Sequence, residues 1–329
     1  MPDEELWDAV VVGGGPAGLA AATWLARYRR RTLLLDAGHG RNASVEHSHG
    51  YLTRDGAPPA ELLEAARADL SQYSCVELRS GDVVSVEGEE GDFTVHCDGG
   101  TSVRAQRVVL CTGVVDATPD IEGFDEHYGA SVFHCPSCDG YEARDRDVVV
   151  LGWSEHIAGF ALELLDWAAT VTLVTDGRRF EGDDVRREAL ARNGVALVED
   201  EATCFVGSRG DLEAVRLRDG VDLPCSLAFF SIGHTPRTGL ADELGCERSE
   251  EGYVIVDEHG TTSVPGIFAA GDLIPGLQLI QVATAKGTTA GVGCALALRR
   301  DPPPPDSPPR APDIPTELGE DQPTEDEGS

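Results

Sequence analysis

Lysine is almost missing from this sequence: Lys286 is the single lysine, and the other 25 basic residues are arginine. The 58 acidic residues leave a formal net charge of −32. Such a charge argues against nucleic acid or an anionic membrane as a partner, because their phosphates repel it. Molar salt shortens the screening length to about 3 Å and relieves the self-repulsion. The composition therefore predicts a salt-adapted host.

Long hydrophobic runs are also missing. No run approaches the roughly 18 apolar residues needed to cross a bilayer, and the acidic start leads directly into a strand rather than a secretory signal. We therefore expect no membrane segment and a cytoplasmic location. There, the nine cysteines favour thiols over a disulfide framework. Seven are isolated and are interpreted as small buried side chains: Cys75, Cys97, Cys111, Cys204, Cys225, Cys246 and Cys294.

The sequence contains a divergent internal repeat. The first copy has a strand, a glycine-rich turn, a helix and a strand at 9–12, 13–18, 19–28 and 32–35. The second copy has the same order at 148–151, 152, 158–167 and 171–175. Each copy continues into a small antiparallel excursion and returns to an apolar strand that ends on glycine. This order predicts an α/β protein with two tandem three-layer units built on parallel sheets.

No third unit follows the second copy. Instead, the sequence predicts strands at 252–256 and 266–270 and a helix at 283–298. These elements need a surface to pack against, and we expect that surface on the first unit. The central unit is then inserted into the first one. We expect domain segments at 1–117, 118–236 and 237–300. The remaining 301–329, with nine prolines and many acids, is predicted to be disordered.

The first glycine turn matches the G-x-G-x-x-G fingerprint between a strand and a helix, and consists of Gly13, Gly14, Gly15, Pro16, Ala17 and Gly18. Such glycines let the backbone approach a pyrophosphate at the helix N-terminus, and Asp36 is placed to hold ribose hydroxyls. The alternative is a turn selected only for helix packing. A second signal, Gly271-Asp272 after an apolar strand, suits flavin ribityl hydroxyls and phosphate, or is an ordinary turn.

The central unit carries Cys135-Pro-Ser-Cys138, with His134 before it and Asp139 after it. Two thiols at this spacing can close and reopen a disulfide, and their surroundings can supply a thiolate at neutral pH. Half of a zinc site is the alternative. Structural zinc takes four Cys or His ligands, and the sequence has no second Cys-x-x-Cys, so we expect no metal.

These motifs occur in the order typical of low-molecular-weight thioredoxin reductases, which the chain resembles over roughly residues 6–298. These are pyridine nucleotide-disulfide oxidoreductases with two FAD/NAD(P)-binding Rossmann-like domains. The pair Arg41-Asn42 and the segments 47–50 and 58–62 are similar to a side branch of that family. The side branch includes dithiol oxidases and flavoproteins that NADPH does not reduce.

The resemblance implies that Cys138 faces a flavin, that Cys135 exchanges with the substrate, and that Asp139 is the acid/base. It implies a homodimer that acts on a thioredoxin-like protein or a small dithiol or disulfide. His134 either stabilises a thiolate or is structural. The residues implied to contact FAD are Gly13, Gly14, Gly15, Pro16, Ala17, Gly18, Asp36, Ala37, Gly38, Arg41, Asn42, His49, Val83, Thr112, Gly113, Gly271, Asp272, Gln281, Val282 and Ala283.

The second nucleotide unit departs from the family pattern. Trp153, Ser154 and Glu155 follow Gly152 where relatives have small residues, and Asp176 stands in the place of a 2′-phosphate clamp. NADPH, NADH, ferredoxin and no nicotinamide at all therefore stay open as electron sources. The sequence predicts an FAD-dependent thiol–disulfide oxidoreductase. A dithiol oxidase that uses oxygen and a non-enzymatic redox-sensing flavoprotein are the alternatives.

Overall fold

The computed structural model describes residues 6–299. The predicted disorder at 301–329 lies outside these residues. The α-helices are α1 (Pro16–Arg27), α2 (Pro59–Ser71), α3 (Phe124–His127), α4 (Pro136–Asp139), α5 (Ile157–Glu163), α6 (Asp184–Arg192), α7 (Gly239–Glu243) and α8 (Ile280–Ala297). None of these described helices is long and apolar enough to cross a membrane.

The strands of the first half are β1 (Leu6–Val12), β2 (Thr32–Asp36), β3 (Val76–Ser80), β4 (Val83–Glu89), β5 (Asp92–Cys97), β6 (Ser102–Leu110), β7 (Val114–Asp116) and β8 (Val132–Phe133). Those of the second half are β9 (Asp147–Leu151), β10 (Thr170–Val174), β11 (Ala196–Val198), β12 (Ala202–Ser208), β13 (Asp211–Leu217), β14 (Asp222–Pro224), β15 (Leu227–Phe230), β16 (His234–Pro236) and β17 (Ile267–Ala269).

The first sheet has the order β3-β2-β1-β6-β5-β4, and β17 pairs with β6. The pairs β1–β2, β1–β6, β2–β3 and β6–β17 are parallel, whereas β4–β5–β6 is the predicted antiparallel excursion. Because β17 extends this sheet, the chain after residue 237 returns to the first unit as expected. The predicted strand at 252–256 is wrong, since only Val254 there forms an isolated bridge, with Arg248.

One face of this sheet is covered by α1 and α8, which cross closely. Glycine permits that approach: a Cβ on Gly287 would lie only 2.0 Å from the Ala17 carbonyl oxygen. Leu19, Ala22 and Leu25 of α1 are buried in the core that the crossing creates. The crossing fixes α1 behind the glycine turn, so the position of its N-terminus is set by packing.

The central unit repeats the parallel arrangement with the sheet order β11-β10-β9-β15-β8 and a separate antiparallel sheet, β12-β13-β14. Its helix α5 ends at Glu163 and continues as a 3₁₀ turn, Leu164–Asp166. Phe180, Ile157 and Phe229 lie in its core. The two units are joined by a short ribbon in which β7 pairs antiparallel with β16. The predicted α/β fold with two Rossmann-like units is confirmed.

Candidate active site

A cavity of about 1040 Å³ opens at the first glycine turn. The backbone of Gly15 faces open space, because a Cβ built there would meet nothing within 4 Å. Gly15 is also the N-cap of α1, Pro16 begins the helix, and no side chain caps its free N–H groups. An uncapped helix N-terminus next to open space is suited to an anion such as a pyrophosphate.

Asp36 ends β2 at the rim of the cavity and is held by three donors. Its Oδ1 accepts the backbone N–H groups of Gly14 (3.2 Å) and Gly38 (3.0 Å). Its Oδ2 accepts from the Arg67 guanidinium (2.8 Å), which reaches it from α2. These contacts fix the carboxylate and leave lone pairs for further donors, such as the hydroxyls of a ribose.

Asp272 also lines the cavity, in the 3₁₀ turn Gly271–Leu273 that follows β17. Its Oδ2 accepts from Arg41 Nη1 (3.0 Å), but its Oδ1 is buried and has no hydrogen-bond partner among residues 6–299. A buried carboxylate oxygen without a donor is costly. A ligand hydroxyl would remove that cost, so Asp272 fits the ribityl chain of a flavin.

Most of the residues predicted to contact FAD line this cavity. Those that line it are Gly13, Gly14, Gly15, Pro16, Ala17, Asp36, Ala37, Gly38, Arg41, Asn42, Val83, Thr112, Gly113, Gly271, Asp272 and Ala283. The open glycine turn, the ribose-side carboxylate and the undonated Asp272 oxygen together fit an FAD molecule. The contacts of each residue with FAD stay a prediction.

Four predicted contact residues are not among those that line the cavity. Gly18 has a packing role, since a Cβ there would lie 1.8 Å from the Gly13 carbonyl oxygen. His49 lies 3.6 Å from the Glu142 carboxylate. Gln281 and Val282 line a separate cavity of about 380 Å³ on the other side of α8's first turn.

Cys135 and Cys138 form a disulfide at the start of α4. Cys135 is the N-cap of this single helical turn, and Pro136 occupies its first position, where no N–H is needed. The Cys138 N–H donates to Cys135 Sγ (3.1 Å). The same N–H would stabilise a Cys135 thiolate once the disulfide is opened.

Asp139 ends the same turn and is only 7% exposed. Burial raises the pKa of Asp139 to about 7, because its charged form is poorly solvated, and the negative charge of Glu142 adds to the effect. At neutral pH both the acid and the carboxylate are therefore populated. A group in this state, in the same helical turn as the two cysteines, is suited to donate a proton and to take it back.

His134 connects the disulfide turn to the first unit. Its Nδ1 lies 3.1 Å from the Tyr128 hydroxyl, and its Nε2 lies 4.0 Å from Asp116 Oδ2. Burial lowers the pKa of His134, which favours the neutral imidazole. Asp116 in turn accepts two hydrogen bonds from Arg41, at 2.7 Å and 2.6 Å.

The turn of the second unit is filled by the protein's own side chains. A Cβ on Gly152 would lie 2.7 Å from Ile157 Cδ1 and 2.9 Å from the Ser231 carbonyl oxygen. The Arg178 guanidinium stacks on the Trp153 ring, 3.7 Å from its centroid. Gly13, which follows β1 as Gly152 follows β9, is also packed against backbone, so the two turns differ farther along the chain. There Trp153, Ser154 and Ile157 stand in the places of Gly14, Gly15 and Gly18.

The charges of the second unit are also unsuited to a dinucleotide phosphate. Glu155 stands beside the N-terminus of α5 and pairs with Arg186 (3.4 Å). Asp176 is held with a φ of +53°, and its Oδ1 accepts the Ala202 N–H (3.2 Å). Arg178 lies against the Trp153 ring, and the two carboxylates stand where the resemblance places the phosphates. The residues present here do not fit NADPH.

Three residues of the site were not predicted from the sequence: Arg67, Asp116 and Gln278. Arg67 lies on a helix with no motif, and Gln278 lies in the loop before α8, so the sequence carries no signal for either. Asp116 gave a weak signal, since it follows the glycine that ends the first unit's apolar strand. Among the described residues, no group of three or more metal-ligating side chains is positioned to hold a metal ion.

Comparison with known proteins explains this combination of features. Residues 7–287 match the family described as pyridine nucleotide-disulphide oxidoreductase. The chain is 32% identical to the thioredoxin reductase sirT of Leptosphaeria maculans, over 88% of this chain and 93% of that protein. It is 30% identical to the thioredoxin reductase of Mycolicibacterium smegmatis, over 88% and 94% of the two chains.

Two crystal structures have the same fold. HlmI superposes with a TM-score of 0.84 at 38% identity, over 89% of this chain and 92% of that chain. Thioredoxin reductase from Streptococcus pyogenes superposes with a TM-score of 0.84 at 26% identity, over 90% and 99%. The chain therefore belongs to the pyridine nucleotide-disulphide oxidoreductase family and is an FAD-dependent thiol–disulfide oxidoreductase of the thioredoxin reductase-like class.

Proposed function

We propose that FAD occupies the cavity at the first glycine turn and exchanges two electrons with Cys135–Cys138, which then reduces a thioredoxin-like protein. The observation that carries this proposal is a continuous series of side-chain contacts from the cavity to the disulfide turn. Asp272 contacts Arg41 (3.0 Å), Arg41 contacts Asp116 (2.6 Å), and Asp116 lies 4.0 Å from His134, which precedes Cys135.

When bound, FAD supplies the two electrons that open the disulfide. Opening it leaves two sulfurs that together need up to two protons, and neutral Asp139 is the proton donor in the same helical turn. The Cys138 N–H holds the Cys135 sulfur as a thiolate. That thiolate attacks the substrate disulfide, a mixed disulfide forms, and Cys138 displaces the reduced substrate as the Cys135–Cys138 bond closes again.

The substrate and assembly follow from the relatives. Because several of them are named thioredoxin reductases, a thioredoxin-like protein is the proposed partner. A homodimer in the cytoplasm stays a proposal that rests on the family resemblance of the sequence. We also propose the segments 1–117 and 237–300 as the FAD-binding domain, with 118–236 as the central domain.

The source of electrons is a separate question, because the filled second turn argues against NADPH. Reduced ferredoxin or another donor would reach the flavin directly. The second candidate function is the reverse direction. A dithiol substrate would be oxidised to its disulfide and would reduce Cys135–Cys138 to two thiols. Those thiols would pass the two electrons to bound FAD as their disulfide closes again, and oxygen would be the final acceptor, forming peroxide. Ile157 and Trp153, which occupy the second turn, are consistent with this candidate, since an oxidase has no need of a nicotinamide site, but they suit a reductase with a donor other than NADPH equally well.

An anaerobic titration of the purified flavoprotein in molar salt tests these proposals. NADPH, NADH, reduced ferredoxin and dithiothreitol are added separately, and flavin absorbance is recorded. We expect slow or no bleaching by NADPH, and bleaching by dithiothreitol that depends on the disulfide. Rapid bleaching by NADPH would contradict the interpretation of the second turn.

The variant Cys138→Ser isolates the role of the disulfide. We expect it to retain FAD and to lose electron passage between the flavin and thioredoxin or dithiothreitol. Ser137→Ala is the matched control, because it changes a neighbouring exposed hydroxyl without removing a sulfur. Turnover of thioredoxin by Cys138→Ser at the wild-type rate would show that the disulfide is not the relay.

A further inference from the structure

Arg41 does not end in the open part of the cavity; it is surrounded by acceptors. Its Nε and Nη2 donate to the two oxygens of Asp116 (2.7 Å and 2.6 Å). Its Nη1 donates to Asp272 Oδ2 (3.0 Å) and to Gln278 Oε1 (2.7 Å). The side chain of Arg41 is 19% exposed and that of Asp116 is 11% exposed, so water competes little for these bonds.

Asp116 is itself fixed by the backbone. It is the last residue of β7 and stands opposite His234 of β16 in the ribbon that joins the two units. Gln278, the third partner of Arg41, is also fixed, because its Nε2 donates to the Tyr253 hydroxyl (3.0 Å). Arg41 is therefore held between a rigid ribbon and the turn that carries Asp272.

We propose that Asp116 is a positioning residue for the flavin site, and that it acts through Arg41. This inference rests on the proposed location of FAD. By holding Nε and Nη2 of the guanidinium in a two-bond fork, Asp116 sets the direction of Nη1, which donates to Asp272 Oδ2 and to Gln278 Oε1. Asp272 is then oriented with its undonated Oδ1 toward the ligand.

The same residue sets the charge next to the flavin. Asp116 and Asp272 carry negative charges, and Arg41 and Lys286 carry positive charges next to Asp272. The negative charge of Asp116 disfavours the reduced, more electron-rich flavin and lowers its midpoint potential. Loss of the Asp116 charge removes this effect. A residue with only a structural role between the two units would leave the potential unchanged.

The variant Asp116→Asn tests the inference in the full-length protein, in molar salt. We expect the dissociation constant of FAD, from fluorescence titration of the apoprotein, to rise about tenfold, since a charge-assisted pair that orients Asp272 is lost. We expect the midpoint potential of the bound flavin to move to a higher value. Asp222→Asn is the matched control, because Asp222 forms the same two-bond pair with Arg216, at 2.7 Å and 3.0 Å, on the exposed surface of the central unit.

The outcomes separate the inference from the function on which it rests. If wild-type protein does not bind FAD, the proposed function fails. If wild-type protein binds FAD but Asp116→Asn matches Asp222→Asn in both dissociation constant and potential, the positioning role is wrong. Where Asp116→Asn does not fold, Arg41→Lys replaces it: the charge stays, the fork is lost, and wild-type FAD affinity in this variant would equally refute the role.

Discussion

Replacement of Asp139 by asparagine is predicted to change both the stability of the protein and its chemistry, in a way that depends on pH. The pKa of Asp139 is raised from 3.8 to about 7, a difference that corresponds to about 4 kcal/mol. Because the folded state binds the proton more tightly than the unfolded state, the wild type loses stability as the pH rises from about 4 through 7. The amide that replaces the carboxyl group does not ionise, so the variant avoids this loss.

The expected result is therefore a difference that grows with pH. As the pH is raised from about 5 to about 8.5, the free energy of unfolding of Asp139→Asn rises by roughly 3 kcal/mol relative to that of the wild type. This is less than the full difference of about 4 kcal/mol, because part of the effect occurs below pH 5. Urea unfolding of the oxidised protein at constant molar salt measures it. Asp145→Asn is the control, because Asp145 is 90% exposed and has a positive φ that asparagine tolerates.

Activity supplies an independent measurement on the same variants. We expect Asp139→Asn to slow electron transfer between the flavin and the disulfide by about 10²–10⁴-fold, the usual contribution of a positioned acid or base. In the wild type this rate should fall as the pH rises through about 7, because the acid form of Asp139 is depleted. If the difference in stability between Asp139→Asn and the wild type does not change with pH, the Asp139 carboxyl group is not buried without compensation. If the rate of electron transfer between the flavin and the disulfide is the same in both proteins, Asp139 is not the acid.

Three further predictions concern neighbouring features. Gly15→Ala should fold normally, because the new Cβ meets no described protein atom within 4 Å, but it should lose FAD. Gly159→Ala is the control, and retention of FAD by Gly15→Ala would contradict the proposed site. Glu142→Gln should lower the pH midpoint of flavin–disulfide electron transfer, because its charge helps to raise the pKa of Asp139; an unchanged midpoint in stopped-flow traces would contradict this. Lys286→Met should destabilise the protein by about 1–3 kcal/mol in thermal melts, since two turn carbonyls lose their ammonium donor.

The fold was predictable because each copy of the repeat shows a local sequence pattern typical of a strand, a glycine turn and a helix. Both parallel sheets could be located from their apolar strands, their glycine turns and the acidic residues Asp36 and Asp176 that follow. The predicted return of the chain to the first unit agrees with the pairing of β17 with β6. The strand predicted at 252–256 failed for a different reason. The segment has strand propensity, but among the described residues no neighbouring strand pairs with it beyond one isolated bridge. Strand formation requires hydrogen bonds to a partner strand, and the sequence of the segment does not specify that partner.

The site was predictable only where a motif places residues next to one another. Gly15 lies in the turn after β1, and Asp36 ends β2 of the same βαβ unit. Because these two strands are parallel neighbours, both residues lie at the same edge of the sheet, and their proximity follows from the fold. Arg41 and Asp116 are 75 residues apart, and Asp272 is 231 residues from Arg41. Nothing in the spacing indicates that they meet, because the β7–β16 ribbon and the return of the chain bring them together. Sequence reasoning identified Arg41 and Asp272 as contacts of the same ligand, but it did not pair them and gave no sign of Asp116.

The two nucleotide units show how one fold can lose a ligand site without losing its stability. In the first, the turn leaves open space at Gly15, and the helix N–H groups are left for an anion. In the second, Ser154 takes the place of Gly15, Ile157 packs against Gly152, and Arg178 covers Trp153. A turn packed by its own side chains gains the contacts that a ligand would otherwise supply. The central sheet therefore keeps its geometry and still carries Cys135, while the described residues that fit a dinucleotide, such as Asp272 with its undonated oxygen, belong to the first unit.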